Sequence, residues 1–300
     1  DTTPISGEML DLTRFGELGK EGVLLLMADS TNAERPGFAM SEQKVGRSLD
    51  AQFKGTDKRI IVATFASNVH RVQQIINAAA RYGRKVAVSG RSMDNILKVT
   101  TELGYMDVPP NTLIDINLVK KYPDDQLCII TTGSQGEPMS AMYRMAYGSH
   151  KQVEVGPNDK IILSASPIPG NEESVYSLIN ELMRRGAEVV YDRQAELHVS
   201  GHACQEELKI IMALTKPKFF MPAHGEFRHL KINAGLAKAT GVHPNNIFIS
   251  EIGKVLELTQ DSARFNGSVP CGKVLVDGLG VGDVGAAVLR DRKHLSQDGL

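Results

Sequence analysis

Cysteine is scarce. The chain of 300 residues holds only 3, Cys128, Cys204 and Cys271, which lie far apart and outside any CxxC pair. An odd, scattered set argues against a disulfide framework and against a cysteine zinc site, and suits a reducing cytoplasm. Long apolar runs are missing as well. The longest near the start, Val23-Leu24-Leu25-Leu26-Met27-Ala28, is strand-sized, far short of the roughly 18 residues that a membrane span needs. Neither sign of charge prevails: Lys+Arg 34 against Asp+Glu 35 gives a formal charge of −1. That balance excludes a wholesale basic coat for nucleic acid, although a local basic groove fits inside a neutral total. The chain opens Asp1-Thr2-Thr3-Pro4 with no initiator Met and no charged-then-apolar leader, so no signal peptide is read. It closes on Asp298-Gly299-Leu300 without a terminating element, as expected of a piece of a longer protein. The sequence shows neither internal repeats nor low-complexity segments.

What is there is an ordinary globular composition, 42% hydrophobic and 23% charged, long enough for one large domain or two of usual size. Short β-branched runs alternate with amphipathic helical runs, the mark of βαβ units. Strands are expected at residues 23–28, 59–66, 85–89, 127–131, 160–165, 187–191 and 218–221. Helices are expected over 71–82, from Ser92 to Gly104, and over 137–146, 172–185, 205–214 and 226–239. Val72, Ile75, Ile76 and Ala79 make the apolar face of the first helix and Gly83 ends it, while Ser92 is the expected N-cap of the second. From residue 247 strand and turn take over, at 247–251, 254–258 and 273–276. This periodicity alone gives a doubly wound α/β sheet.

Gly, Ser, Thr and Asn recur where the strands end. Residues 23–28 run into Asp29-Ser30-Thr31-Asn32, 59–66 into Ser67-Asn68, and 85–89 into Gly90-Arg91-Ser92. Residues 127–131 meet Thr132-Gly133-Ser134-Gln135-Gly136-Glu137, and 160–165 meet Ser166-Pro167-Ile168-Pro169-Gly170-Asn171. In a parallel sheet these carboxyl ends share one edge, where ligands bind. Such residues make good turns and caps. They equally let backbone N–H groups approach an anion at helix N-termini, and their repetition along one edge favours a phosphate-bearing ligand.

Of the 8 histidines, His70, His150, His229, His243 and His294 occupy polar settings and read as surface residues. His198, His202 and His224 stand apart. His202 follows Ser200-Gly201 just before a helix, and His224 sits in Pro222-Ala223-His224-Gly225-Glu226 between a strand and a helix. In a β-α-β-α succession both loops fall on one side of the sheet, so the two histidines are expected to be neighbours, with Asp29 joining them from another strand end. An Asp and two His make either a metal-ligand set or an acid/base set. Histidines at helix starts also serve as caps or packing residues, but the glycines beside His202 and His224 clear room for something to approach. Catalytic zinc needs more ligands than these, and the sequence contains no HxHxDH cluster.

Taken together, seven segments resemble the ribonuclease J family, in the β-CASP branch of the metallo-β-lactamase fold. They are Ala28-Asp29-Ser30-Thr31-Asn32-Ala33-Glu34, Ala63-Thr64-Phe65-Ala66-Ser67-Asn68, Gly90-Arg91-Ser92, Thr132-Gly133-Ser134-Gln135-Gly136-Glu137-Pro138, Ser166-Pro167-Ile168-Pro169-Gly170-Asn171, His198-Val199-Ser200-Gly201-His202 and Pro222-Ala223-His224-Gly225-Glu226. The resemblance runs in order from Asp1 to about Leu300. It implies an α/β fold in which a β-CASP domain, residues 41–194, is inserted into a partial metallo-β-lactamase αββα sandwich formed by residues 1–40 and 195–280. Residues 281–300 would begin a linker or C-terminal region.

The resemblance also implies a cytoplasmic, homo-oligomeric parent enzyme that carries two zinc ions. Such an enzyme degrades single-stranded RNA 5′→3′ from a 5′-monophosphate end and also cleaves endonucleolytically, in RNA processing and decay. Asp29 matches the family's β-CASP acid, His202 a histidine that contacts the scissile phosphate and is oriented by that acid, and His224 a zinc ligand. Residues His198, Val199, Ser200, Gly201 and His202 match the substrate-phosphate contact. Ser67 and Asn68 lie in the strand-end loops, and Phe65 is read either as a base-stacking residue or as core. Asp277, in Val276-Asp277-Gly278-Leu279-Gly280-Val281-Gly282-Asp283, matches a residue that binds a structural cation, calcium, in some members, although Asp-Gly is also turn chemistry. The family's HxHxDH motif and its next metal-binding residues precede the segment that Asp1-Thr2-Thr3-Pro4 matches, so this chain alone is expected to be inactive. Two other readings stay open: a non-catalytic RNA-binding paralogue or subunit, and an α/β protein that binds a phosphate-bearing small ligand.

Overall fold

In a computed structural model of the chain, the described residues are 3–168, 170–191, 196–272, 274, 276–277, 280–281, 285, 288 and 290. Along them run helices α1 (Leu12–Glu21), α2 (Glu42–Phe53), α3 (Val69–Arg81), α4 (Arg91–Glu102), α5 (Ala141–Ala146), α6 (Glu172–Arg184), α7 (Gln205–Thr215) and α8 (Phe227–Ala239). The strands are β1 (Leu25–Asp29), β2 (Arg59–Ala63), β3 (Lys85–Ser89), β4 (Leu127–Thr131), β5 (Asp159–Leu163) and β6 (Glu188–Val190). They continue with β7 (Phe219–Ala223), β8 (Lys254–Leu258), β9 (Ala263–Ser268), β10 (Val276–Asp277) and β11 (Gly280–Val281). Two compact units emerge, residues 1–12 with 37–204, and residues 13–36 with 205–300. The first unit therefore begins before Ser41 and continues past Gln194, the limits expected for the inserted domain, and takes in residues 1–12 as well.

A 5-stranded, all-parallel sheet in the order β3-β4-β2-β5-β6 forms the centre of the first unit. The runs RIIVA of β2 and LCIIT of β4 are buried almost throughout, as strands covered on both faces must be. Alternation along the strands divides the core into two layers. Ile60, Val62, Val86, Cys128 and Ile130 pack with Leu49 of α2, Ile75 and Ile76 of α3 and Met93 of α4. Ile61, Ala63, Ile129, Ile161 and Leu163 pack with Met142 and Met145 of α5 and Leu178 and Leu182 of α6. The result is an α/β/α sandwich, in which each fully buried isoleucine contributes about 1.5–3 kcal/mol.

Both ends of this sheet are fixed by its register. At the amino ends, buried Arg84 donates to the carbonyl oxygens of Thr56 at 2.6 Å, Lys58 at 2.8 Å and Leu127 at 3.0 Å. Arg59 grips the Asp159 carboxylate in two bonds of 2.7 and 2.9 Å. At the carboxyl ends Ala63 pairs with both Thr131 and Leu163, so β2, β4 and β5 stop level. Their loops leave from a common edge.

In the second unit, β1 and β7 run parallel, β8 and β9 form an antiparallel pair, and α7 and α8 belong to the same unit. Here α1 approaches the end of α7 so closely that a β-carbon on Gly19 would lie 2.0 Å from the Leu214 carbonyl oxygen.

Several expectations need correction. Ser92 does not cap α4: Gly90 does, with φ 121, and it has no side chain to bond the first turn. The helix expected over 137–146 begins only after Ser140, whose hydroxyl accepts from Tyr143 N, because Pro138 and the left-handed Met139 (φ 68) hold the preceding residues in a turn. Residues 247–251 form no strand. Ile247 makes a single bridge to Phe220 after the short helical turn Pro244–Asn246. The strand expected at 273–276 includes residues 273 and 275, which lie outside the described residues, as do His294 and much of the Gly-rich stretch around Asp277.

His150 and His229 are not the surface residues their polar neighbours suggest. His229 is buried and accepts from the Glu226 N–H, closing a capping box at the start of α8. His150 Nδ1 accepts from the N–H groups of Gln152 at 3.3 Å and Val153 at 3.1 Å, and Nε2 lies 2.9 Å from Ser89 Oγ. Those bonds assign the neutral ring its proton on Nε2. Burial, and then the Arg144 guanidinium, hold the His150 pKa below the ordinary imidazole value.

Two measurements check this packing. Native thiol titration at pH 8 should label exposed Cys271 and leave buried Cys128 and Cys204 silent until denaturant is added. Burial pushes the Cys128 thiol up to about 12, which leaves on the order of 10⁻⁴ of it as thiolate at that pH; prompt labelling of Cys128 would contradict the packed sheet. For His150, the folded pKa lies below the unfolded one, so its contribution to stability is complete above about pH 6.5 and is lost as pH falls through the folded value. His150→Gln should therefore flatten the acid side of the stability curve, and an unchanged slope would show that this ring is not what titrates.

Candidate functional site

The register of β1 and β7 sets Asp29 opposite Ala223, each the last residue of its strand, and His224 follows directly. The Asp29 carboxylate Oδ2 stands 2.6 Å from His224 Nδ1. Its other oxygen accepts from the Thr31 N–H at 2.9 Å, and Thr31 Oγ1 lies 3.3 Å from the same ring nitrogen. The backbones are joined as well, since Ser30 N–H donates to the His224 carbonyl at 3.2 Å. From beneath, the fully buried Asn233 of α8 donates to the Asp29 carbonyl at 3.1 Å and to Ser30 Oγ at 2.9 Å. The strand end that carries the acid is thus held by a helix of the same unit.

His224 occupies the left-handed region, with φ 55, and Gly225 after it has φ 121. The left-handed backbone is costly for a residue with a β-carbon and marks positions where geometry is imposed. Its side chain is 65% exposed, and that of Asp29 33%. A carboxylate on Nδ1 fixes the imidazole tautomer and makes Nε2 the basic nitrogen, the arrangement found behind metal-bound histidines. Imidazole and carboxylate are both ordinary zinc donors, so the residues fit a zinc ion in donor type. Asp29 accordingly has a partner, His224, that the sequence reading did not give it.

Nearby, Glu34 bonds Arg228, which also bonds Glu226 at 3.0 Å. The Arg228 hydrogen bond holds the Glu34 carboxyl below the usual carboxylate range.

The remaining expected residues, Asp277 excepted, belong to the first unit. In the segment after β6, Leu197 is buried and Val199 packs against the same core layer, while His198 and Ser200 are half-buried. Ser200 Oγ accepts from the His202 N–H at 3.3 Å, tightening the turn that carries His202. In the loop after β2, Phe65 is half-buried, Ser67 is exposed and Asn68 caps α3 by accepting from Arg71 N–H at 3.1 Å.

Sequence reasoning missed the buried polar residues that shape this edge. Gln135, in the loop after β4, donates to the Ser166 carbonyl at 3.0 Å and accepts from the Ile168 N–H at 2.8 Å, tying two loops together. Arg71, fully buried, donates to the Leu197 carbonyl at 2.8 Å. The one signal available for Arg71 was its place beside the apolar stripe of α3.

Comparison with known proteins adds the family. The ribonuclease J beta-CASP domain matches residues 57–182, and the Zn-dependent metallo-hydrolase RNA specificity domain matches residues 186–249. Over 300 residues the chain is 50% identical to Ribonuclease J 1 of Streptococcus pyogenes, 47% to Ribonuclease J of Thermus thermophilus and 43% to Ribonuclease J2 of Bacillus subtilis. The whole chain is covered in each case, against 53%, 52% and 54% of those proteins, so it spans about half the length of the curated relatives it matches. A metal cofactor goes with the second of the two family descriptions. With two adjoining domain matches and near-half identity sustained from one end to the other, the chain belongs to the ribonuclease J family.

Proposed function

We propose that the protein to which this chain belongs is a zinc-dependent ribonuclease of RNA processing and decay, acting 5′→3′ and endonucleolytically on single-stranded RNA with a 5′-monophosphate. The observation that carries this reading is the Asp29–His224 pair at the ends of two paired strands, a carboxylate bonded to the Nδ1 of an exposed, conformationally forced imidazole. In this reading His224 ligates through Nε2, and Asp29 fixes the orientation and tautomer of the ring. Zinc, when bound, lowers the pKa of water and polarises a phosphoryl oxygen. This sequence contains no HxHxDH motif to complete the shell of two zinc ions, which is why activity is assigned to the longer protein.

His202 is assigned to the scissile phosphate, where it stabilises developing charge and donates a proton to the leaving 3′ oxygen. His198, Ser200 and Gly201, with the Val199 backbone, hold the same phosphate, while Ser67, Asn68 and Phe65 receive the adjoining nucleotides. Asp277, in β10, is assigned a structural calcium. A cytoplasmic homo-oligomer completes the proposal for the whole protein.

Zinc content paired with single-turnover cleavage of a 5′-monophosphorylated RNA separates these roles in the full-length protein. His224→Ala should lose zinc and rate together. His202→Ala should keep its zinc and lose about 10²–10³ in rate, the loss expected for a missing oxyanion donor. Because the Asp29 carboxylate is bonded to His224, Asp29→Asn should weaken zinc binding, about 10–100-fold as for other carboxylates behind metal-bound histidines. Normal cleavage by His224→Ala, or loss of zinc on His202→Ala, would overturn the assignment.

A further inference from the structure

We infer that Arg71 and Ser164 are positioning residues for RNA, acting through the Leu197 carbonyl to aim the segment His198–His202. The inference rests on the proposed contact of that segment with an RNA phosphate.

Leu197 precedes His198, and its carbonyl shares one planar peptide unit with the His198 N–H. Fixing that oxygen fixes the direction in which the segment sets out. Two donors converge on it. Arg71 Nη1 donates at 2.8 Å and Ser164 Oγ at 2.6 Å. The same Arg71 nitrogen also bonds Ser164 Oγ at 2.5 Å and the Ser164 carbonyl at 3.2 Å, so the three residues form a closed set. On its far side the guanidinium is gripped by Glu42, with Nη2 donating to Oε2 at 2.7 Å and Nε to Oε1. Gln74 adds a bond to Glu42 Oε1 at 2.9 Å. Arg71 is fully buried, and Ser164 nearly so.

Each anchor belongs to a rigid element. Glu42 opens α2 behind the Ser41 cap, Arg71 lies in the first turn of α3, and Ser164 follows the last residue of β5. The segment itself contributes the apolar pegs Leu197 and Val199, packed in the core layer of α2 and α3. Pegs set depth, and hydrogen bonds to one carbonyl set direction. A planar fork that serves a carboxylate on one side and backbone oxygen on the other is a task for arginine, which lysine cannot reproduce. The donors hold a loop that would otherwise follow its own turn preferences, which is how a supporting shell serves a binding site.

The test uses the 300-residue chain, a short 5′-monophosphorylated single-stranded oligoribonucleotide as probe, and amide hydrogen exchange over residues 197–202. His198→Ala calibrates the direct contact. Arg84→Lys calibrates the loss of a buried arginine that clamps the opposite end of the strands. Ser164→Ala and Arg71→Lys should each speed exchange in the segment about tenfold, the equivalent of one hydrogen bond. They should weaken RNA binding to a similar degree as His198→Ala, while Arg84→Lys lowers the melting temperature and leaves both readouts unchanged. Ser164→Ala removes a single hydroxyl, so it carries the test if Arg71→Lys fails to fold. Unchanged exchange in Ser164→Ala, or an RNA affinity no lower than that of Arg84→Lys, overturns the inference while an effect of His198→Ala leaves the RNA contact standing. Wild-type affinity in His198→Ala itself removes the proposed contact, and the role of Arg71 falls with it.

Discussion

One buried guanidinium governs the carboxyl edge of the first unit. A charge with no access to water must have every donor answered, and leaving it without its carboxylate costs about 3–5 kcal/mol. Arg71 meets that demand with Glu42 from α2, Ser164 from the end of β5 and the Leu197 carbonyl from the segment beyond β6. None of these elements can shift without exposing the charge to an empty shell. Gln135 and Asn233 repeat the arrangement with neutral amides, both buried, the first bonded to loop backbone and the second to the end of β1. At Leu197 and at Asp29 the backbone carbonyl is answered by a side chain rooted in a helix.

Much of the scaffold was legible because its signals are local. The strands RIIVA and LCIIT announce themselves by composition, and α3 by Val72, Ile75, Ile76 and Ala79 on one face. Asp29 and His224 were legible as strand-end residues, and their meeting follows from the parallel register of β1 and β7. Other elements carry no such signal. The helix α1 contains Gly16 and Gly19 and buries no residue fully, while α2 buries only Val45, Leu49 and Phe53 among polar neighbours. Arg71 looks like a surface charge until Glu42, 29 positions away, is brought to it by the packing of α2 on α3. His150 and His229 were misread for the same reason: composition around a histidine does not say which backbone N–H groups will point at its ring.

The chemistry at Asp29 and His224 shows how a weak local preference becomes a fixed geometry. Alone, an exposed imidazole samples several rotamers and both tautomers. The carboxylate at Nδ1 selects one tautomer, the Ser30 bond to the His224 carbonyl restrains the backbone, and Asn233 restrains the strand end that holds the carboxylate. The order of dependence runs from α8 to β1 to the ring.

The left-handed backbone of His224 has a consequence for the history of such a chain. Glycine would occupy that conformation at lower conformational cost than any residue with a β-carbon. Selection for folding alone would drift toward glycine there, and random substitution would be rewarded for doing so. An imidazole here keeps its bond to the Asp29 carboxylate at a conformational cost that glycine would not incur. Screens that read only solubility or melting temperature will therefore accept glycine in place of this histidine.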